Sequence, residues 1–233
     1  MVVPKEAVQY FRRKKITPSF SFDTVWGEEH RVAFTIAHEA RTDVLTDVKA
    51  AMDDAIENGV PFKEFRKQLE PKLRDRGWLP QAPKYTPTRL KLIYDTNLRT
   101  AHSAGQWQRI ERTKKALPYL VYQLGPSARH RPEHVDLEGT LLPVDDPFWS
   151  THMPPNGFGC KCTVSQLTKY ATEERGGVTE RPETPPRVWT HKGTGKRVVH
   201  PYGTDPGWDH NHGKQRVPPG LQDLHRKLHG RDT

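Results

Sequence analysis

The sequence predicts an α+β protein: an N-terminal helical region, then a long helix with a small β-containing module, then an irregular Pro/Gly-rich tail. Apolar residues recur at three- and four-residue spacing through the first half of the chain. A short run of branched and aromatic residues and then a short alternating run follow, and the order helix, strand, loop, strand is that of a small α+β unit. The 233 residues are 33% hydrophobic and 28% charged, with 21 Pro and 17 Gly. Proline at about 9% is close to twice ordinary usage, so a modest core with a sizeable share of extended or irregular chain is expected.

Each element has its own signal. Between Arg41 and Gly59, residues Val44, Leu45, Val48, Met52, Ala55 and Ile56 fall on one helix face, and Asn58-Gly59 is a suitable stop. Phe62, Phe65, Leu69 and Leu73 keep the period in a second helix opened by Pro61 and closed by Gly77, with Pro71 predicting a kink or a break. Upstream, Ala7–Lys15 reads as a short helix, and Phe20, Phe22 and Trp26 as anchors of a connecting segment. Pro80, Pro83 and Pro87 mark a linker, so a boundary near Pro83 separates a region 1–82 from a domain 83–170. A long helix then runs from about Thr88 to Ala116, with Leu90, Ile93, Tyr94, Leu98, Ala101, Ala104 and Trp107 on one side. Tyr119–Leu124 reads as a buried strand closed by Gly125-Pro126, Ser127–Gly159 as turn chemistry, and Cys160–Ser165 as a second strand. Across 171–233 Pro and Gly reach about a quarter of the residues, the level of irregular chain, and Leu221, Leu224 and Leu228 keep a short helical spacing.

Composition excludes several classes. No apolar run approaches the ~18–20 residues of a membrane span, so no membrane partner is expected. Met1–Lys15 is basic and amphipathic without the apolar core of a secretory signal, which makes synthesis in a reducing cytoplasm the expectation. Two cysteines cannot build a disulfide framework. The net charge is +9, and over half of it sits on the long helix, where Arg89, Lys91, Arg99, Arg109, Arg112, Lys114 and Lys115 face only Asp95 and Glu111. Arg99, Arg109, Arg112, Lys114 and Lys115, with Arg129 and Arg131 from the loop beyond and Arg12, Arg13, Lys14 and Lys15 near the N-terminus, are the candidate surface for DNA or an acidic partner. Charge does not choose between the two; a DNA contact of this kind would be sequence-independent and weakened by salt. Phosphate-loop, dinucleotide-fold, metalloprotease and serine-hydrolase motifs are all absent from the sequence.

The densest set of chemically capable residues lies between Tyr119 and Tyr170, where His130, His134, His152, Cys160 and Cys162 accompany Asp136, Glu138, Asp145 and Asp146. On a strand, Cys160 and Cys162 project to one face. They are poor disulfide partners there but can both reach one metal ion, and His134 and His152 would complete a Cys2His2 tetrahedron around a structural zinc. Against this, free cysteine behaves as a small buried hydrophobe, and Cys-x-Cys is tighter than the usual spacing in structural zinc sites. The alternative is therefore a pair of buried thiols with histidines hydrogen-bonded to the loop. A cysteine nucleophile activated by histidine is a third reading. Asp145-Asp146 before Pro147 reads as a turn rather than a catalytic pair. In the tail, Asp209-His210-Asn211-His212 invites a metal reading but has no repeated ligand spacing.

Beyond the chemistry of single residues, Tyr94–Val164 resembles the head-morphogenesis domain of the phage Mu F-like minor head proteins, related more distantly to the minor head protein of phage SPP1. The resemblance is carried by the helix Asn97–Gly105, by Arg129-x-x-x-x-His134 leading to Leu137-x-Gly139, and by Asp146-Pro147-Phe148-Trp149. It continues through His152-x-Pro154-Pro155-x-Gly157 and Cys160-x-Cys162. It implies a minor capsid protein of a tailed phage or prophage, located in the virion head and made in the host bacterial cytoplasm. Such a protein acts in head morphogenesis at the portal with portal, scaffold or major capsid protein as partners, and in handling of packaged DNA. The resemblance carries over no catalytic residue, so a non-enzyme is expected. The alternative is a metal-dependent nuclease or toxin-like effector built on the same module.

Overall fold

A computed structural model describes residues 4–20, 25–77 and 87–214. The chain divides into two compact units between Gly105 and Gln106. The linker expected around Pro83 and the leucine-spaced segment near Leu224 lie outside the described residues, as does Phe22.

The first unit is built from helix α1 (Lys5–Arg12), a short parallel pair β1 (Lys15–Ile16) and β2 (Ala33–Phe34), helices α2 (Thr42–Asn58) and α3 (Phe62–Asp75), and the first part of α4 (Pro87–Thr113). The α2 face predicted by periodicity is the buried one: Val44, Leu45, Val48, Met52, Ala55 and Ile56 all enter the core. Gly59 ends the helix at φ 65°, a left-handed conformation that glycine adopts without Cβ strain. Phe65, Leu69 and Leu73 of α3 join the same core with Leu90, Tyr94, Ala101 and Ala104 of α4. Helix α3 runs through Pro71 as one element, because its three buried anchors bracket the proline and Pro71 itself is exposed. Gly105 is needed where α4 passes α1: a Cβ there would lie 2.8 Å from the Ala7 backbone nitrogen. Phe20 differs from expectation: its ring is exposed rather than an anchor.

The second unit centres on a three-stranded antiparallel sheet of order β4-β3-β5, formed by β3 (Tyr119–Gln123), β4 (Leu141–Pro143) and β5 (Thr163–Leu167). Trp107, Ile110, Leu120, Tyr122, Leu142, Phe148, Trp149, Met153 and Val164 form its core. Between the strands stand two single-turn helices, α5 (Pro132–Val135) and α6 (Phe148–Thr151). Asp146 has the turn role expected of it. Its Oδ1 accepts from the Phe148 amide at 2.8 Å and caps α6, while its Oδ2 pairs with Arg181 at 2.8 Å. The second strand starts at Thr163, so Cys160 and Cys162 precede it rather than belonging to it.

Residues 171–214 are more ordered than the composition of the tail suggests. After α7 (Lys169–Glu173), strands β6 (Pro186–Thr190) and β7 (Arg197–Pro201) form an antiparallel hairpin. Residues 202–214 then return across the loop of 148–160. The Asn211 amide donates to the Ser150 carbonyl, its side chain donates to the Trp149 carbonyl at 3.0 Å, and Lys214 Nζ donates to Ser150 Oγ at 2.6 Å. Proline and glycine here shape the turns of a docked strap, and tertiary contacts provide the order that local propensity does not.

Candidate metal centre

Three side chains from separate stretches of the second unit converge. His134 is delivered by α5, whose first turn is set by Pro132, and is buried. Cys160 and Cys162 come from the approach to β5, where the Cys160 amide donates to the Gly157 carbonyl at 3.2 Å. Cys160 is buried and Cys162 half-buried, with Lys161 between them exposed. The cysteine pair is seated by Gly125 at the end of β3, since a Cβ on that residue would lie 1.8 Å from the Lys161 carbonyl oxygen. In sequence Gly125 reads as a strand terminator; only the fold shows that its missing side chain makes room for the Cys-x-Cys backbone.

The three ligand atoms lie within 4.8 Å of one another. His134 Nδ1 is 3.7 Å from Cys160 Sγ and 3.4 Å from Cys162 Sγ. Hydrogen bonding from Cys160, then from His134 and Tyr122, draws the Cys162 thiol well below the ordinary range despite its partial burial. Cys160 moves the opposite way, raised by its contact with Cys162 and by burial. Tyr122, fully buried beside the pair, is raised by desolvation and stays a neutral phenol.

His152 is a correction to the expected ligand set. Its ring stacks on Phe148 at 4.5 Å, its Nε2 lies 2.8 Å from the Tyr202 carbonyl, and its Nδ1 lies 2.7 Å from Thr151 Oγ1. A carbonyl only accepts, so Nε2 carries the proton and Nδ1 accepts from the Thr151 hydroxyl. Neither ring nitrogen offers a lone pair to an ion. His152 instead anchors the start of the strap, and its burial lowers its pKa.

The expected basic surface is partly used up internally. Lys114 bridges Asp145 at 2.7 Å and Glu111 at 3.1 Å. Arg131 pairs with Asp205 at 3.2 Å and donates to the Phe158 carbonyl at 2.8 Å, tying the strap to the loop that leads to Cys160. Arg12 pairs with Glu57 at 2.6 Å, and Lys14 is buried. Arg99 is half-buried, whereas Arg109, Arg112, Lys115 and Arg129 are exposed. Of the tail histidines, His210 and His212 are buried with rings 4.5 Å apart, and His212 packs edge-on against Trp208.

The family described as phage Mu protein F like matches residues 46–165, which include most of α2, α3, all of α4, His134, the cysteine pair and most of the sheet. The chain belongs to that family. Protein F of Escherichia phage Mu, whose name refers to capsid assembly, is 35% identical to this Mu F-like chain over 185 residues, covering 74% of the chain and 42% of protein F. The Mu-like prophage FluMu F protein of Haemophilus influenzae is 36% identical over 155 residues, covering 63% of the chain and 37% of that protein. The chain therefore spans less than half the length of these two relatives. No solved structure matches it. Among the described residues no helix is long and apolar enough to cross a membrane.

Proposed function

We propose that this Mu F-like protein is a structural component of phage head assembly, a minor capsid protein that works by docking to other head components rather than by catalysis. The observation that carries this reading is the 35% identity, sustained over 185 residues, to a protein named for capsid assembly. The family match across residues 46–165 supports it independently. Portal, scaffold and major capsid protein are the partner classes, and the head of the virion is the place of action.

The net charge of +9 and the exposed residues Arg109, Arg112 and Lys115 around the C-terminal end of α4, with Arg129, favour an additional sequence-independent contact with packaged DNA. Such a contact rests on counterion release, so it weakens steeply as salt rises.

The decisive experiment removes the corresponding gene from its phage or prophage, restores it in trans, and counts filled heads. The expected result is loss of filled heads with rescue by the wild-type chain, and recovery of the chain from purified heads cross-linked to portal or capsid protein. Normal heads without the chain would end the proposal. Incubating purified chain with duplex DNA, with and without added divalent metal, tests the nuclease alternative, for which intact DNA is the expected outcome.

A further inference from the structure

We propose that His134, Cys160 and Cys162 hold one zinc ion through Nδ1 and the two sulfurs, with a water molecule as fourth ligand. In this role the ion is a structural staple fastening α5 and the 148–160 loop to the start of β5. The inference does not rest on the assembly reading and fails or stands separately from it.

The geometry is that of a ligand set. For Zn–S of about 2.3 Å and Zn–N of about 2.0–2.1 Å, a tetrahedral centre places sulfur about 3.6 Å from nitrogen. The observed separations of 3.7 and 3.4 Å fall on either side of that edge. All three donor atoms lie within 4.8 Å of one another, which admits the S···S edge of about 3.8 Å implied by the same bond lengths.

Hydrogen bonding alone accounts for the cluster less well. Nδ1 carries either one proton or one lone pair and so offers a single hydrogen bond, as donor to a thiolate or as acceptor from a thiol, yet both sulfurs converge on it. An ion that accepts electron pairs from all three atoms satisfies them together. The donor chemistry selects among ions as well: two thiolates with one imidazole suit zinc far better than magnesium or calcium, which take oxygen ligands.

No fourth His, Cys, Asp or Glu among the described residues joins the group, and Cys162 is half-buried, so solvent reaches the cluster. The thiols must lose their protons on binding, so zinc uptake releases protons and strengthens as pH rises.

The test uses the full chain, purified untagged under reducing conditions without chelator. Elemental analysis is expected to find close to one zinc per chain. After metal removal, titration with cobalt(II) is expected to give the intense near-ultraviolet band of sulfur-to-cobalt charge transfer and the visible bands of tetrahedral coordination.

Cys160→Ser and Cys162→Ser should each reduce the charge-transfer band to about half or less and lose stoichiometric zinc. His152→Asn should keep both signals. Should the cysteine variants fail to fold, the wild-type cobalt spectrum alone decides, since a spectrum without thiolate charge transfer overturns the site. Metal-free protein that takes up neither ion after reduction overturns it too, and so does a His152→Asn variant that folds but loses zinc.

Discussion

Lys14 shows at the level of one residue how a charge can be carried inside. In sequence it belongs to the basic run Arg12–Lys15, yet in the fold its ammonium sits 4.9 Å from the Tyr10 ring centroid and 5.8 Å from that of Phe11. Desolvation, reinforced by Lys49, lowers its pKa from 10.5 to about 7. Between those values the unfolded chain holds a proton that the folded chain has released. Stability therefore rises with pH from about 7 towards 10.5, and the burial penalty is fully present below pH 7. Lys14→Met should stabilise the protein at pH 7 and flatten that rise, measured as the difference between wild-type and variant urea midpoints across the pH range. An unchanged difference would show that Lys14 stays solvated. Gly125 is the second such residue. Alanine there would press a Cβ against the Lys161 carbonyl, which the backbone can relieve only by moving Cys160 and Cys162. Gly125→Ala is expected to destabilise by about 1–3 kcal/mol and to weaken metal uptake without altering a ligand. Intact cobalt spectra in that variant would disconnect the two.

Among the elements, the strap of residues 202–214 does work that its composition hides. Besides the His152 bond to the Tyr202 carbonyl, the Tyr202 hydroxyl donates to Asp136, the Asp205 amide donates to the Asn156 carbonyl at 2.8 Å, and Asp205 accepts from the Phe158 amide at 3.2 Å. Trp208 packs edge-on against Phe158 at 4.9 Å. The strap thus holds the loop that leads into the cysteine pair from the side opposite in sequence. Asn211 is its most committed polar residue: buried, it donates to the Trp149 carbonyl and accepts from the Gly213 amide at 2.9 Å. Asn211→Ala should cost about 1–3 kcal/mol, because the Trp149 carbonyl and the Gly213 amide lose their buried partner. Limited proteolysis should then cut between 202 and 214 faster than in wild type; equal rates would mean that the strap is held without it.

For the whole molecule, two compact units with separate apolar cores imply separable stability. One core draws on α1 to α4 and the other on the sheet with Trp107, Phe148 and Trp149. Chelator should lower the midpoint of the transition that exposes the Trp149 core and leave the other in place, because a ligand stabilises only the state and unit that bind it. Calorimetry with and without chelator reads this directly, and a uniform shift of all unfolding would argue for one cooperative block. The excess charge acts at this scale too. Lys114, Arg131 and Arg12 are committed to internal ion pairs and Lys115 is exposed, so salt-dependent binding to DNA should respond to Lys115→Glu more than to Lys114→Glu. Equal losses in the two would locate the contact elsewhere.

How much of this was legible in the chain follows from the range of each interaction. Local patterns by themselves determined α2 to within a residue at each end and the core face of α4, through helical periodicity, and strand β3, through a short run of branched and aromatic residues closed by Gly125-Pro126. Residue types also marked His134, Cys160 and Cys162 as donors, since imidazole and thiols in one short module are rare enough to notice. Only the tertiary structure decided which of them meet. His152 differs from His134 in no sequence property; it is spent on Tyr202, fifty positions away, and on Thr151. The ordering of residues 171–214 and the need for Gly125 have the same origin. Each depends on a partner distant in sequence, and pairing over such distances is set by packing of the whole chain rather than by any local pattern.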